Sequence, residues 1–136
     1  MVANVTPAEV WRALEADPTA QIVDVRSDAE WTFVGLPDLS ALGRQVVTIA
    51  WQVFPGMQLN DGFLVALREA GCAPQHALFF LCRSGARSMS AARAAAAAGY
   101  LHTYNIADGF EGPCDGDGHR GTVAGWKAAG LPWRQR

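Results

Sequence analysis

Residues 79–93 read FFLCRSGARSMSAAR. An apolar run presents one cysteine, turns sharply through Arg, Ser and Gly, and then enters a stretch of strong helix formers. The apolar lead, Ala77 to Cys82 (ALFFLC), predicts a strand buried on both faces, as the strands of parallel sheets are. A helix is expected from about Arg87 or Ser88 to the stop at Gly99. Its five alanines, Ala94 to Ala98, are expected to form a thin layer that lets the helix lie close on a sheet. A cysteine placed only for packing does not need the turn that follows it.

The pattern repeats outward from this stretch. Thr6-Pro7-Ala8-Glu9 combines a capping hydroxyl, a proline at the first helical position and a capping-box glutamate, and predicts a helix to about Ala16. Gln21 to Val25 is a short β-branched run and reads as a buried strand. Ser27 or Asp28 caps a short helix that Gly35 ends, and Leu36 to Gly43 reads as loop. Gln45 to Trp51 reads as another strand, followed by turn-rich VFPGMQLND. Asn60 or Asp61 is expected to cap a helix through about Glu69, closed by Gly71. His102 to Ala107 reads as a strand, and 108–121 as an open loop of Gly and Asp. A last helix capped by Thr122 (TVAGWKAAG) precedes the tail LPWRQR. Strands alternating with helices predict an α/β chain: a central, mostly parallel sheet with helices on both faces, in one domain spanning residues 1–136.

Composition narrows the function classes. Eleven basic and 13 acidic residues leave a net charge of −2, which gives no reason to expect nucleic acid or an anionic membrane as partner. No stretch approaches the roughly 20 apolar residues of a membrane span. The start, MVANVTPAEVW, has no basic segment followed by an apolar one, so the expected compartment is the cytoplasm. Three cysteines, Cys72, Cys82 and Cys114, do not suggest a disulfide framework. Cys114 and His119 alone cannot fill a zinc shell, and no metal or cofactor is expected. The five tryptophans, Trp11, Trp31, Trp51, Trp126 and Trp133, are expected to pack helices and loops on the sheet. Phe110 is a candidate for the pocket mouth, whereas His76, His102, His119 and Arg120 are expected to face water.

Cys82 stands at the carboxyl end of a strand, where parallel sheets bind ligands. The following helix directs its unpaired N–H groups and positive dipole end back at the loop. Gly85 is free to take unusual dihedrals, so that successive N–H groups of residues 83–87 can face inward. Arg83 and Arg87 add full positive charges. All of these favour a thiolate, the nucleophilic form of cysteine, and the same cradle suits an anion beside the sulfur. The competing reading is an inert strand-end cysteine beneath an ordinary helix cap.

CRSGARS (82–88) resembles the active-site loop of the rhodanese family of sulfurtransferases. DVRSDAEW (24–31) resembles that family's Asp-x-Arg segment with its acidic-aromatic follower. NIADGFEG with GWKAAGLPW resembles its closing strand, glycine turn and terminal helix. The three occur in the family's order. The resemblance implies a rhodanese-like fold and covalent catalysis in two half-reactions. Cys82 would take the outer sulfur of a small anionic donor such as thiosulfate as a persulfide, then pass it to cyanide, a thiol or a protein acceptor. Arg83 and Arg87 would attract the donor, the N–H groups of Arg83, Ser84, Gly85, Ala86, Arg87 and Ser88 would hold the persulfide, and Ser84 and Ser88 would donate hydroxyl hydrogen bonds. Asp24 and Arg26 would brace the loops.

Two regions depart from the family pattern. The usual Gly-His-Ile-Pro-Gly-Ala run is replaced by GLPDLSALGRQVV, and PCDGDGHRGTVA is inserted between Gly112 and Gly125. Both lie where an acceptor could be selected, and Cys114 is an open candidate for resolving a persulfide. Two rival functions remain. A cysteine-dependent phosphatase or arsenate reductase is one, but phosphatase loops place five residues between Cys and Arg, against four between Cys82 and Arg87. The other is a protein-partnered sulfur relay or binding module without free turnover.

Overall fold

The computed structural model describes residues 2–53 and 56–135. In chain order the elements are β1 (Ala3–Val5), α1 (Pro7–Ala16), β2 (Gln21–Asp24), α2 (Asp28–Phe33), β3 (Leu36–Pro37), a single 3-10 turn (Ser40–Leu42), β4 (Val47–Thr48), β5 (Gln52–Val53), β6 (Gln58–Leu59), α3 (Phe63–Glu69), β7 (Ala77–Leu81), α4 (Ala86–Ala97), β8 (His102–Ile106) and β9 (Trp133–Arg134). Five strands form one parallel sheet in the order β1-β8-β7-β2-β4. Strand β7, which leads into Cys82, is central, with β2 and β8 as neighbours.

Alternation along the strands builds two cores. Val23, Val25, Leu78, Phe80 and Cys82 pack with Phe63 and Leu67 of α3 and with Ala91, Ala92 and Ala95 of α4. Ile22, Phe79, Leu81 and Ile106 pack with Val10 and Leu14 of α1, and with Phe110 and Trp126 from the C-terminal loops. Helices therefore cover both faces, as parallel strands require.

The local signals acted as expected at α1, where Thr6 and Glu9 form the capping box, and at α2, where Ser27 and Glu30 form a second one. The close layer of α4 is Ala91, Ala92 and Ala95, at helical spacing, whereas Ala97 and Ala98 are exposed. Only Ala95 of the expected alanine run is fully buried.

Several expectations are overturned. No helix forms over 122–130. Gly121, Gly125 and Gly130 all have positive φ, the Thr122 hydroxyl donates to Asp115 Oδ2, and the N–H groups of Trp126 and Lys127 donate to the carbonyls of Gly109 and Phe110. Tertiary pairing thus takes the donors that a helix would have used. The strand expected over 45–51 is ladder-paired only at Val47–Thr48, because β2 ends at Asp24 and leaves no regular partner beyond. Ile49 and Trp51 still donate to the carbonyls of Asp24 and Val25. The expected loop 36–43 contains β3, which pairs antiparallel with β9. The turn-rich stretch contains the β5–β6 ribbon, and Phe54 and Pro55 lie outside the described residues. Asn60 does not cap α3: Gly62 does, without a side-chain bond. The side chain of Asn60 instead accepts from the Gly62 N–H and donates to the Ala50 carbonyl.

Candidate active site

Cys82 follows the last residue of β7, and the chain turns back through 83–85 into α4. Helix α4 begins at Ala86, one or two residues before the expected start at Arg87 or Ser88. Its cap is Gly85 at φ 116°, a conformation open to glycine at little cost, with no side chain on the cap hydrogen bonds. The turn brings the Gly85 N–H to 3.1 Å from Cys82 Sγ. The Ser88 hydroxyl, one turn into α4, also lies 3.1 Å from the sulfur. Cys82 itself is 1% exposed.

The two arginines are placed differently from each other. Arg83 is exposed, and its carbonyl accepts from the N–H groups of Glu111 and Gly112. Arg87 is half-buried and grips Glu30 of α2 with both terminal nitrogens, at 2.8 and 2.9 Å. Burial alone would push the Glu30 pKa up, but the Arg87 ion pair and the Ser27 hydrogen bonds outweigh it and hold the carboxyl at about 2. The hydrogen bonds that Arg87 donates to Glu30 in turn raise the Arg87 pKa, with smaller contributions from the nearby Cys82 sulfur and Asp24. Ser84 on the turn and Ala86 at the start of α4 are exposed.

Asp24 and Arg26 lie together at the end of β2, both fully buried. Arg26 donates from Nε and Nη2 to the two carboxylate oxygens, at 2.9 and 2.6 Å, and from Nη2 to the Gly35 carbonyl. Its Nη1 has no hydrogen-bond partner, and the guanidinium lies 4.5 Å from the Phe110 ring centroid. That stacking uses the ring face in place of a hydrogen bond. Phe110 is therefore fully buried beneath Arg26 and does not line a pocket mouth.

A strap of residues 108–112 crosses the sulfur-bearing strand end. Phe110 N–H donates to the Cys82 carbonyl at 2.8 Å. A Cβ at Gly109 would fall 2.4 Å from that carbonyl oxygen and 2.6 Å from the Arg83 carbonyl carbon, so only glycine fits there. Asn105, buried in β8, hydrogen-bonds Ser88, Gly85 and Asn4. The sequence reading missed Glu30, Asn105 and Gly109 as parts of this site. Ser27-x-x-Glu30 signalled a cap only, and Asn105 did not stand out in a strand, HTYNIA, that is largely polar.

The inserted loop is built around Asp115, whose carboxylate accepts from the N–H groups of Asp117 and His119 and from the Thr122 hydroxyl. Cys114 is exposed on it. His76 is not simply solvated: its Nδ1 accepts from the Ala73 N–H. Trp126 is buried, with its indole N–H on the Pro132 carbonyl, and Trp51 packs edge-on to Phe63. Among the described residues, no three His, Cys, Asp or Glu side chains gather as a metal ion would need. No described helix is long and apolar enough to cross a membrane. A groove of about 570 Å³ runs between β3, Arg44 to Val46 and the C-terminal strand, and none of residues 82–88 lines it.

Comparison with known proteins matches this arrangement to a family. The model of the STR4 middle domain matches residues 3–136. The uncharacterized protein RP600 of Rickettsia prowazekii is 37% identical over 138 residues, covering 98% of each chain. The crystal structure of Rv0390 from M. tuberculosis superposes with a TM-score of 0.90 at 50% identity, covering 99% of this chain and 98% of that one. Rhodanese-like domain-containing protein 4, chloroplastic, of Arabidopsis thaliana is 31% identical over 121 residues, which are 88% of this chain and 23% of that protein. The sheet order, the cysteine turn and these matches agree: the chain belongs to the STR4 middle domain family and has a rhodanese-like fold.

Proposed function

We propose that the chain is a sulfurtransferase that carries sulfane sulfur on Cys82. The observation that carries this reading is the short turn from Cys82 to Arg87, whose Gly85 N–H points at the sulfur from 3.1 Å. With four residues between Cys82 and Arg87, the turn suits a single sulfur atom better than a tetrahedral phosphoryl group with its three non-bridging oxygens. In the first half-reaction the Cys82 thiolate attacks the outer sulfur of a donor such as thiosulfate. The donor's S–S bond breaks, sulfite leaves with the bonding pair, and a Cys82 persulfide remains. In the second, cyanide or a thiolate attacks the terminal sulfur, the new S–S bond breaks, and the Cys82 thiolate is regenerated. Arg83, exposed at the turn, attracts the anionic donor, and loop N–H groups hold the persulfide.

Two features favour a partnered relay over rapid turnover of free thiosulfate. Cys82 is covered, so the turn or the strap must open before a donor reaches it. Arg87 is already neutralised by Glu30, which leaves less positive charge for a dianion. An acceptor protein would hold the site open as it docks and so speed the second half-reaction.

Intact mass after incubation with thiosulfate, or with a polysulfide, tests the reading. The expected result is a gain of one sulfur atom in the wild type and none in Cys82→Ser. Labelling that survives in Cys82→Ser, or no labelling by either donor, refutes it. A stable persulfide with slow loss to cyanide identifies the relay.

A further inference from the structure

The hydrogen-bond chain behind the sulfur has a definite direction. It starts at a group that cannot turn. The Gly85 carbonyl only accepts, and the N–H of Met89 reaches it at 3.2 Å. The Asn105 amide lies against the same oxygen, so its NH2 end must face Gly85, which it does at 3.2 Å. The second hydrogen of that NH2 goes to Asn4 Oδ1 at 2.9 Å. The Asn105 carbonyl oxygen is thereby turned toward Ser88, at 2.5 Å from Oγ. Two acceptors cannot share that distance, so the hydroxyl proton of Ser88 must lie between them. The alternative acceptor, Gly85 O at 3.2 Å, already receives two N–H groups. Ser88 has only one proton, and it is spent. What its oxygen presents to Cys82 Sγ, 3.1 Å away, is a lone pair.

We infer that Asn105 is a positioning residue that directs the Ser88 proton away from Cys82, so that Ser88 accepts a hydrogen bond from the resting thiol instead of donating one to the thiolate. This rests on Cys82 being the sulfur carrier. The Gly85 N–H favours the thiolate and the Ser88 lone pair favours the thiol. Arg87 of α4 interacts electrostatically with the sulfur and with Asp24 of β2 and is paired with Glu30, Arg26 sits on Asp24, Arg83 follows Cys82 in the turn, and the backbone of Asp108 lies against Gly85. Neither substitution below alters any of them.

The test is a thiolate absorbance titration, each protein read against the same protein carrying Cys82→Ser. Asn105→Ala releases the Ser88 proton to the sulfur, and the Cys82 midpoint should fall by about one pH unit, a tenfold change in proton affinity. Ser88→Ala removes the acceptor and should also lower the midpoint. A midpoint at or above the wild-type value in either folded variant overturns the inference, since a serine that donated to the thiolate would give a rise when removed. Ser88→Ala deletes one oxygen atom and keeps the test decisive should Asn105→Ala fail to fold. The readout needs no sulfur donor. Shifted midpoints with no persulfide in the wild type would leave the proton arrangement standing and refute only the sulfur-transfer reading.

Discussion

Glu30 shows how one side chain can serve two elements. It is the third residue of a capping box, where its carboxylate accepts from the Ser27 N–H, and it is also the anchor of Arg87 across the molecule. Its pKa in the fold, about 2, lies below the ordinary value of 4.5. The stabilisation from this depressed pKa is therefore complete above pH 4.5 and is lost as pH falls toward 2. Urea denaturation of the wild type should show stability declining through that window. Glu30→Gln should start about 1–2 kcal/mol lower at neutral pH, part of the pair's charge being screened by solvent, and should decline less steeply. Parallel curves for the two proteins would refute the role. The capping function was legible in Ser27-x-x-Glu30, because it acts within one turn. The grip on Arg87 was not, because the two residues lie 57 positions apart.

The strap of 108–112 and the segment 121–130 are where the elements departed most from expectation. TVAGWKAAG has the composition of a helix with a glycine stop, yet its glycines adopt left-handed backbone and its N–H groups pair with the strap. Composition reports what a segment prefers alone, and a nearby row of carbonyls can outbid that preference. The turn at Gly109 carries the contact. Gly109→Ala combines a positive φ of 63° with a Cβ pressed against two backbone groups, and should cost on the order of 2–4 kcal/mol. Amide hydrogen exchange should quicken at Phe110, Glu111 and Gly112, whose N–H groups bond the carbonyls of Cys82 and Arg83. Unchanged exchange at all three would count against the strap. The strand–turn–helix of β7 and α4, by contrast, was legible nearly to its boundaries, since burial pattern, glycine and alanine content all point the same way.

At the level of the whole molecule, the sheet and its two cores followed from strands that are apolar on both faces and alternate with helices. The short edge strand β1, largely exposed, has no such pattern and was not legible, and neither were β3 and β9, each two residues long and defined only by the other. Yet β9 and the residues before it close one core. Pro132 O accepts the Trp126 indole N–H at 2.7 Å, and Leu131 packs against that cluster. A chain ending at Gly130 leaves that buried donor unpaired and uncovers Leu36, which should lower stability by about 2–4 kcal/mol and the melting temperature with it. A calorimetric scan that did not move would show the tail to be dispensable. Lys127 Nζ lies 3.9 Å from the Trp133 ring centroid, and Phe110 meets the same indole edge-on at 6.2 Å. Phe110 is in turn bonded to the carbonyl of Cys82. The half-exposed indole is thus a native optical gauge of the strand end at Cys82, and its emission should change with any displacement of the backbone beside that thiol, with no dye attached.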